Sequence, residues 1–297
     1  MSRGADNDRW FRPAGSSARD GCDVVIDDTV DGWQHTGLVV VTLAPGRSFT
    51  RAPDDWEAIV LPLAGSVTVT VAGTDYPLTG RASVFAGPTD SLYAPSGSVL
   101  TFTAGDTPSR IAIALARDVK GSGQARVAYL PADAVPIEVR GAGIASRLVR
   151  NFGVPGVLDA ERIIACEVIT PAGNWSSWPP HKHDTERAGV ETELEEIYYF
   201  ETRATDPRGV NPVGYQRVYG TSERPIDVLA EVRSGDVVLV PHGWHGPAIA
   251  APNADLFYLN VMAGPGPERA WLICDDPAHG WVREEWPALP VDPRLAH

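Results

Sequence analysis

The stretch Gly235-Asp236-Val237-Val238-Leu239-Val240-Pro241-His242-Gly243-Trp244-His245 decides how this 297-residue chain folds. Its apolar run, with glycine in front and proline and glycine behind, reads as a buried strand that enters a tight turn and delivers a histidine. Roughly sixty residues upstream, Pro180-His181-Lys182-His183-Asp184 holds two further histidines, one residue apart. On an extended strand these two point to the same face. Imidazole is the commonest metal-binding side chain near neutral pH. Three histidines on two separate hairpins therefore predict a metal inside a β-barrel, a Lewis acid that needs neither nucleophile nor organic cofactor.

A fourth ligand is expected as a carboxylate on the strand after His183. Glu191, Glu193, Glu195 and Glu196 all offer one. Glu196 opens Glu-Ile-Tyr-Tyr-Phe, so Glu196, Tyr198 and Phe200 share a face and Glu195 leaves the opposite one; alternation favours Glu196, with Glu195 the alternative. Three histidines and a glutamate leave one or two positions open on a divalent ion, as catalysis requires. Zn²⁺ and Mn²⁺ are the expected occupants, although such a donor set also takes Fe²⁺. Lys182, between two ligands, faces away from the metal, and His242 is expected at the surface or behind the ligands.

Composition narrows the class. With 29 Gly and 26 Pro among short Val/Ile/Thr/Tyr runs, the chain reads as turn-rich and all-β. A net charge of −13 with dispersed basic residues argues against nucleic acid as a partner. The three cysteines, Cys22, Cys166 and Cys274, are far apart and form no CxxC, which implies neither a disulfide framework nor a zinc ribbon. The polar N-terminus does not read as a signal peptide, and no run approaches the roughly 20 apolar residues of a membrane helix. A soluble cytoplasmic protein with no membrane partner is expected.

Two sets of short strands follow one another, from about residue 22 to 117 and from about 162 to 261. Residues 118 to about 155, rich in Gly, Ala and Arg, read as the connection, and the tail after Trp271 is expected to pack back irregularly. The sets look like a diverged repeat. Gly80 is followed by five residues and then Ala86-Gly-Pro-Thr-Asp90, as Gly235 is by five and then Pro241-His-Gly-Trp-His245, and Trp56-Glu57-Ala58-Ile59-Val60 echoes Leu194-Glu195-Glu196-Ile197-Tyr198. Asp90 then stands for His245 and Ala58 for Glu196, so only the C-terminal half is expected to bind metal. Barrels are expected over 1–140 and 141–297.

The residues from Gly235 to His245 resemble the second motif of the cupins, Gly-x5-Pro-x-Gly-x2-His-x3-Asn, with Ile249 in place of the final Asn. The first motif departs more, since 12 residues separate His183 from Glu196, an insertion at the barrel mouth. The fold implied is a bicupin, two double-stranded β-helix (jelly-roll) barrels with the metal site in the C-terminal one. Gly173-Asn-Trp-Ser-Ser-Trp-Pro-Pro-His-Lys-His-Asp184, Leu194–Phe200, Gln216-Arg-Val-Tyr219 and Phe257–Gly264 further resemble the 5-deoxyglucuronate isomerases of myo-inositol catabolism. The related 5-keto-4-deoxyuronate isomerases carry the same kind of metal site. That resemblance implies His181, His183, Glu196 and His245 as ligands. It also implies interconversion of an aldose, 5-deoxy-D-glucuronate, with a ketose, 5-dehydro-2-deoxy-D-gluconate.

Such a reaction needs a polarised carbonyl and neighbouring hydroxyl, a stabilised enediolate, and groups that move protons. Glu186, Asp184 and Glu195 are candidate acid–base residues, with Tyr258 and Tyr198 as relays; a metal-assisted hydride shift would need no carbon base. The carboxylate of a uronate-type sugar acid should meet a cation, with Arg217 and Arg187 first, then Arg203 and Lys182. Trp178, with Trp175 and Trp244, is expected to wall the pocket. The rival readings are an Fe²⁺-dependent cupin dioxygenase and a non-catalytic sugar-binding or storage bicupin. A homo-oligomer is expected.

Overall fold

A computed structural model describes residues 3–52, 54–118, 125–208 and 211–295. Residues 119–124 of the expected connection and His297 lie outside them. No helix among the described residues is long and apolar enough to cross a membrane. The chain forms antiparallel sheets, and the strand sequences explain why. Leu38-Val-Val-Val-Thr-Leu43 and Ala58-Ile-Val-Leu61 are apolar at consecutive positions rather than at alternate ones, the pattern of strands covered on both faces. In Thr36–Leu43 and Trp56–Val71, Val39, Val41, Ala58 and Val60 pack inside the N-terminal barrel. The alternate residues Leu38, Val40, Ile59 and Leu61 join a larger core that includes Ile163, Ala165, Ile197 and Tyr199. The two halves therefore meet back to back.

In the C-terminal half a seven-stranded sheet runs Phe11–Arg12, Val237–Val240, Glu195–Ala204, Ala254–Ala263, Ile164–Thr170, Arg147–Gly153, Ile137–Arg140. The facing six-stranded sheet is built on Asp227–Val232, Gly214–Tyr219, Trp244–Ala250, His181–Lys182 and Cys274–Asp275. Pairing crosses the boundary expected at residue 140. Ile137–Arg140 pairs with residues of the C-terminal sheet, and Phe11–Arg12 pairs with Val238 and Val237. The described residues of the stretch read as a connection contain three strands, Ala128–Leu130, Ile137–Arg140 and Arg147–Gly153. Alternation in Arg147-Leu-Val-Arg-Asn-Phe carries this signal, but the high Gly, Ala and Arg content of the surrounding segment conceals it.

Buried carboxylates join the halves. Glu57 accepts N–H bonds from Glu161 (2.9 Å), Arg162 (2.6 Å) and Ile163 (2.6 Å), with Tyr93 Oη at 2.7 Å. Glu195 does the same in the other direction, accepting from Gln34 (2.9 Å), His35 (2.7 Å) and Thr36 (3.2 Å). The third contact is a triad, in which Glu167 binds Arg81 and, at 3.1 Å, Arg150. Burial alone would raise the Glu167 pKa, yet the two guanidinium groups hold it below its ordinary value.

Because that pKa is depressed in the folded state, the triad's stabilisation is complete above the ordinary carboxylate value of about 4.3 and is lost as pH falls through the lowered one. Glu167→Gln leaves two buried guanidinium groups uncompensated, and we expect it to cost about 3–5 kcal/mol at pH 7. Denaturant titrations at a series of pH values should show the gap to wild type narrowing below roughly pH 4; a gap independent of pH would contradict the assignment.

Candidate metal centre

His181 and His245 lie directly opposite each other across an antiparallel pair, so both rings leave the six-stranded sheet on its inner face. His183 is two residues beyond His181 and follows it inward. Glu196 comes from the facing sheet, between Val240 and Met262. All four side chains are buried. Ligating atoms of the three histidines lie within 4.8 Å of one another, and among the described residues no other such group of His, Cys, Asp or Glu occurs. Glu196 Oε2 is 3.1 Å from His183 Nε2 and 3.0 Å from His245 Nε2.

The Nδ1 atoms show what this cluster is for. They face backbone carbonyls, His181 that of Pro179 (3.5 Å), His183 that of Leu194 (3.3 Å) and His245 that of Gly243 (3.2 Å). A proton held at each Nδ1 leaves Nε2 as a bare lone pair. His245 Nε2 is buried with no hydrogen-bond partner. Three such lone pairs and a carboxylate converging without donors form a set that a cation satisfies. The electrostatics differ among the ligating groups: burial would lower the His183 pKa, but its contact with the Glu196 carboxylate raises it. Burial pushes the His181 pKa well below its ordinary value, reinforced by His245 and His183. Burial would raise Glu196, but His245 and His183 outweigh it and bring its pKa down to about 2. The chain can thus bind a metal at the His181/His183/His245 cluster.

The turn that places His245 depends on glycine. At Gly243, φ is +91°, and a Cβ there would stand 2.8 Å from the Tyr219 carbonyl oxygen. Its N–H donates to Asp184 (2.8 Å), which also accepts from Lys182 (2.5 Å). Lys182 reaches Glu191 as well (2.7 Å), and Arg187 pairs with Glu191 from its other side. The inserted segment is therefore held by ion pairs on the side of the strand away from the metal.

His181 and Glu196 line a cavity of about 480 Å³ that also contains Ser177, Tyr198, Tyr258 and Asn260. Ser177 holds a left-handed conformation (φ 48°), uncommon for a residue with a side chain, and its Oγ sits 3.3 Å from both tyrosine hydroxyls. Tyr258 also donates to Ser176 (3.1 Å). Burial raises the pKa of both phenols and keeps them protonated. Of the expected acid–base residues, Tyr258 lines this cavity, while Glu186 and Glu195 do not. Glu186 is exposed on the inserted segment and accepts the Glu193 N–H (3.2 Å); Glu195 faces the N-terminal half because the strand alternates.

The expected carboxylate-binding residues also lie elsewhere. Arg217 pairs with Asp227 (2.5 Å), Arg187 with Glu191, and Arg203 with Asp255. Trp178 packs against Trp175 and His279, with ring centroids 5.4 and 4.9 Å apart. The cavity instead takes its cations from Arg140, Arg147 and Arg283, and its aromatic walls from Trp271 and Trp286. Sequence reasoning missed these because two come from the supposed connection and three from the tail, whose irregular segment roofs the cavity. In the N-terminal barrel Ala58 sits in the apolar core, and Asp90 accepts N–H bonds from Thr79 (2.7 Å) and Gly80 (3.0 Å).

Binding of metal to the folded state alone stabilises it by mass action. Added Zn²⁺ at about a thousand times its dissociation constant should therefore raise stability by roughly 4 kcal/mol. Calorimetric melting of wild type and His183→Ala tests this: we expect the increment to disappear in the variant, and its persistence would place the metal elsewhere.

Comparison with known proteins places the chain. The KduI/IolB family model matches residues 10–282. A protein of Geobacillus kaustophilus (strain HTA426) named 5-deoxy-glucuronate isomerase is 39% identical over 281 residues, 93% of this chain and 96% of its own. The crystal structure of an IolB-like protein from Salmonella typhimurium LT2 superposes with a TM-score of 0.82 at 34% identity, covering 92% of this chain and 99% of that one. A Lactobacillus farciminis oxalate decarboxylase, 12% identical with a TM-score of 0.62 over 90% of this chain and 88% of its own, shares the fold, in keeping with a bicupin. In sequence and in architecture alike, this chain belongs to the KduI/IolB family.

Proposed function

We propose that this protein is an aldose–ketose isomerase that converts 5-deoxy-D-glucuronate to 5-dehydro-2-deoxy-D-gluconate. The observation that carries the reading is the meeting, in one cavity, of the His₃–Glu cluster, a pair of protonated tyrosines bridged by Ser177, and arginines suited to a sugar acid. The name borne by relatives at 39% and 40% identity supports the substrate. Zn²⁺ or Mn²⁺ suits the donors His181, His183, His245 and Glu196, and such an ion supplies a Lewis acid for the carbonyl and its neighbouring hydroxyl.

The reaction moves one hydrogen from the hydroxyl-bearing carbon to the aldehyde carbon, and one proton from the hydroxyl to the aldehyde oxygen. Tyr258, Tyr198 and Ser177 suit the oxygen-to-oxygen transfer, since each hydroxyl both donates and accepts. Their raised pKa values make the tyrosines donors rather than bases. For the carbon-bound hydrogen the cavity offers Glu138, its one carboxylate besides Glu196 among the described residues, held by Arg140 at 2.9 Å. Trp271 and Trp286 line the same cavity and give it aromatic walls.

Metal-loaded protein incubated under argon with 5-deoxy-D-glucuronate should form the ketose, followed by carbon NMR, with His183→Ala inactive. No conversion with Zn²⁺, Mn²⁺ or Fe²⁺ would sink the reading, and turnover that requires oxygen would turn it toward a dioxygenase. Tyr258→Phe and Glu138→Gln should each lower kcat by roughly 10²–10⁴-fold. In D₂O the new CH₂ carbon should carry deuterium; full retention of protium together with an unimpaired Glu138→Gln would replace the base by a hydride shift.

A further inference from the structure

The buried and half-buried arginines on which the fold closes fall into two kinds. Arg81 and Arg150 share Glu167, Arg110 pairs with Glu201, and Arg269 spends Nε, Nη1 and Nη2 on the carbonyls of Ile163, Leu158 and Gly153. In each of these the charge is met by a carboxylate or spread over three carbonyls, although Nε of Arg110 and of Arg150 is itself without a partner among the described residues. Arg147 has no carboxylate, and only one of its nitrogens reaches carbonyls. It is 7% exposed, opens the strand Arg147–Gly153, and projects into the cavity shared by His181, Glu196 and Tyr258. Its Nη1 donates to the carbonyls of Ala145 (3.1 Å) and Trp178 (3.5 Å). Among the described residues its Nε and Nη2 make no hydrogen bond, and no carboxylate lies within ion-pair distance.

The other two cavity arginines are already neutralised, Arg140 by Glu138 at 2.9 Å and Arg283 by both oxygens of Asp275. The Trp286 ring lies 5.6 Å from the Arg147 guanidinium carbon and 4.9 Å from that of Arg283, and so helps to fix the orientation of both. Burial lowers the Arg147 pKa to about 10, which leaves it charged at neutral pH. A buried cation without a counter-ion is costly. In a chain of net charge −13, it also gives an incoming anion a local positive field.

We propose that Arg147 is the anion anchor of the cavity: its free Nε and Nη2 form the planar, two-pronged contact that a carboxylate accepts, and this contact selects sugar acids over neutral aldoses. The assignment rests on the isomerase reading of the same site but makes a separate claim, that specificity for the acid end of the substrate resides in one residue. It acts at the far end of the molecule from the reacting carbonyl, so its loss appears mainly in KM.

The test compares 5-deoxy-D-glucuronate with 5-deoxy-D-glucose, the same aldose with a hydroxymethyl group in place of the carboxylate. For wild type, Arg147→Lys and Arg147→Met, kcat and KM are measured on both, with bound metal and melting temperature recorded alongside. We expect Arg147→Met to lower kcat/KM for the acid by about 100-fold, chiefly through KM, and to bring the acid-to-neutral ratio toward one, with Arg147→Lys intermediate. An unchanged ratio, whether through full activity or through equal loss on both substrates, overturns the proposal in favour of a structural role. If wild type converts neither compound, the isomerase reading fails on its own. Calorimetric binding of 5-deoxy-D-glucuronate then decides about Arg147: weaker binding by Arg147→Met supports the anchor, and equal binding refutes it.

Discussion

Glu195 and Glu196 are neighbours in the chain, and a strand must send neighbours to opposite faces. Much of the architecture follows from what each carboxylate meets. Glu195 emerges toward the N-terminal half and accepts three successive backbone N–H groups, from Gln34, His35 and Thr36. A slip of one residue would strand those donors and withdraw Glu196 from the histidines in the same movement. The joint between the halves and the metal centre are thus held in register by one dipeptide. The repeat makes the point again with Glu57, which grips residues 161–163 as Glu195 grips residues 34–36. Its neighbour there is Ala58, and the barrel behind it is filled with hydrocarbon instead of imidazole.

The two halves therefore share the form of the joint and differ in what lies behind it. Both halves keep the carboxylate that faces the other, while only the C-terminal half has the converging histidines, with a cavity open to them. The N-terminal barrel, its interior packed with Val, Leu and Phe side chains, serves as a rigid backing for the sheet that carries Glu196. Rigidity matters because three imidazoles and a carboxylate must stay convergent inside a buried site, and a braced frame holds them there.

The parts legible in the sequence were those with a period or a fixed spacing. His181 and His183 on one face, the glycine turn before His245, and the alternation around Glu196 each follow from backbone geometry, and Tyr258 could be placed beside them because its strand is continuous. The pocket's cations were not legible. Arg217 and Arg187 sit near recognisable motifs, but each has an acidic partner within reach of its own hairpin, and a local partner wins over a distant ligand. Arg147 and Arg140 lie in a segment whose Gly and Ala content resembles a linker, and Arg283 and Trp286 in a tail without periodicity. Their meeting is a matter of tertiary closure, to which no local pattern testifies. Glu195 illustrates the opposite difficulty, a carboxylate next to a ligand in sequence whose partners lie some 160 residues away.

The short pairing of Phe11 and Arg12 with Val238 and Val237 carries a consequence for how the molecule can be divided. This pairing covers part of the outer strand of the sheet that bears Glu196, while Ala5 and Asn7 bond to Asp227 and Leu229 of the facing sheet and Ala14 to Asp236. A fragment containing the three clustered histidines and Glu196 but lacking the first dozen residues would present Val237–Val240 as a bare apolar edge, ready to pair with another chain. The C-terminal half is in this sense completed by the first residues of the chain, which close an edge that its own strands leave open.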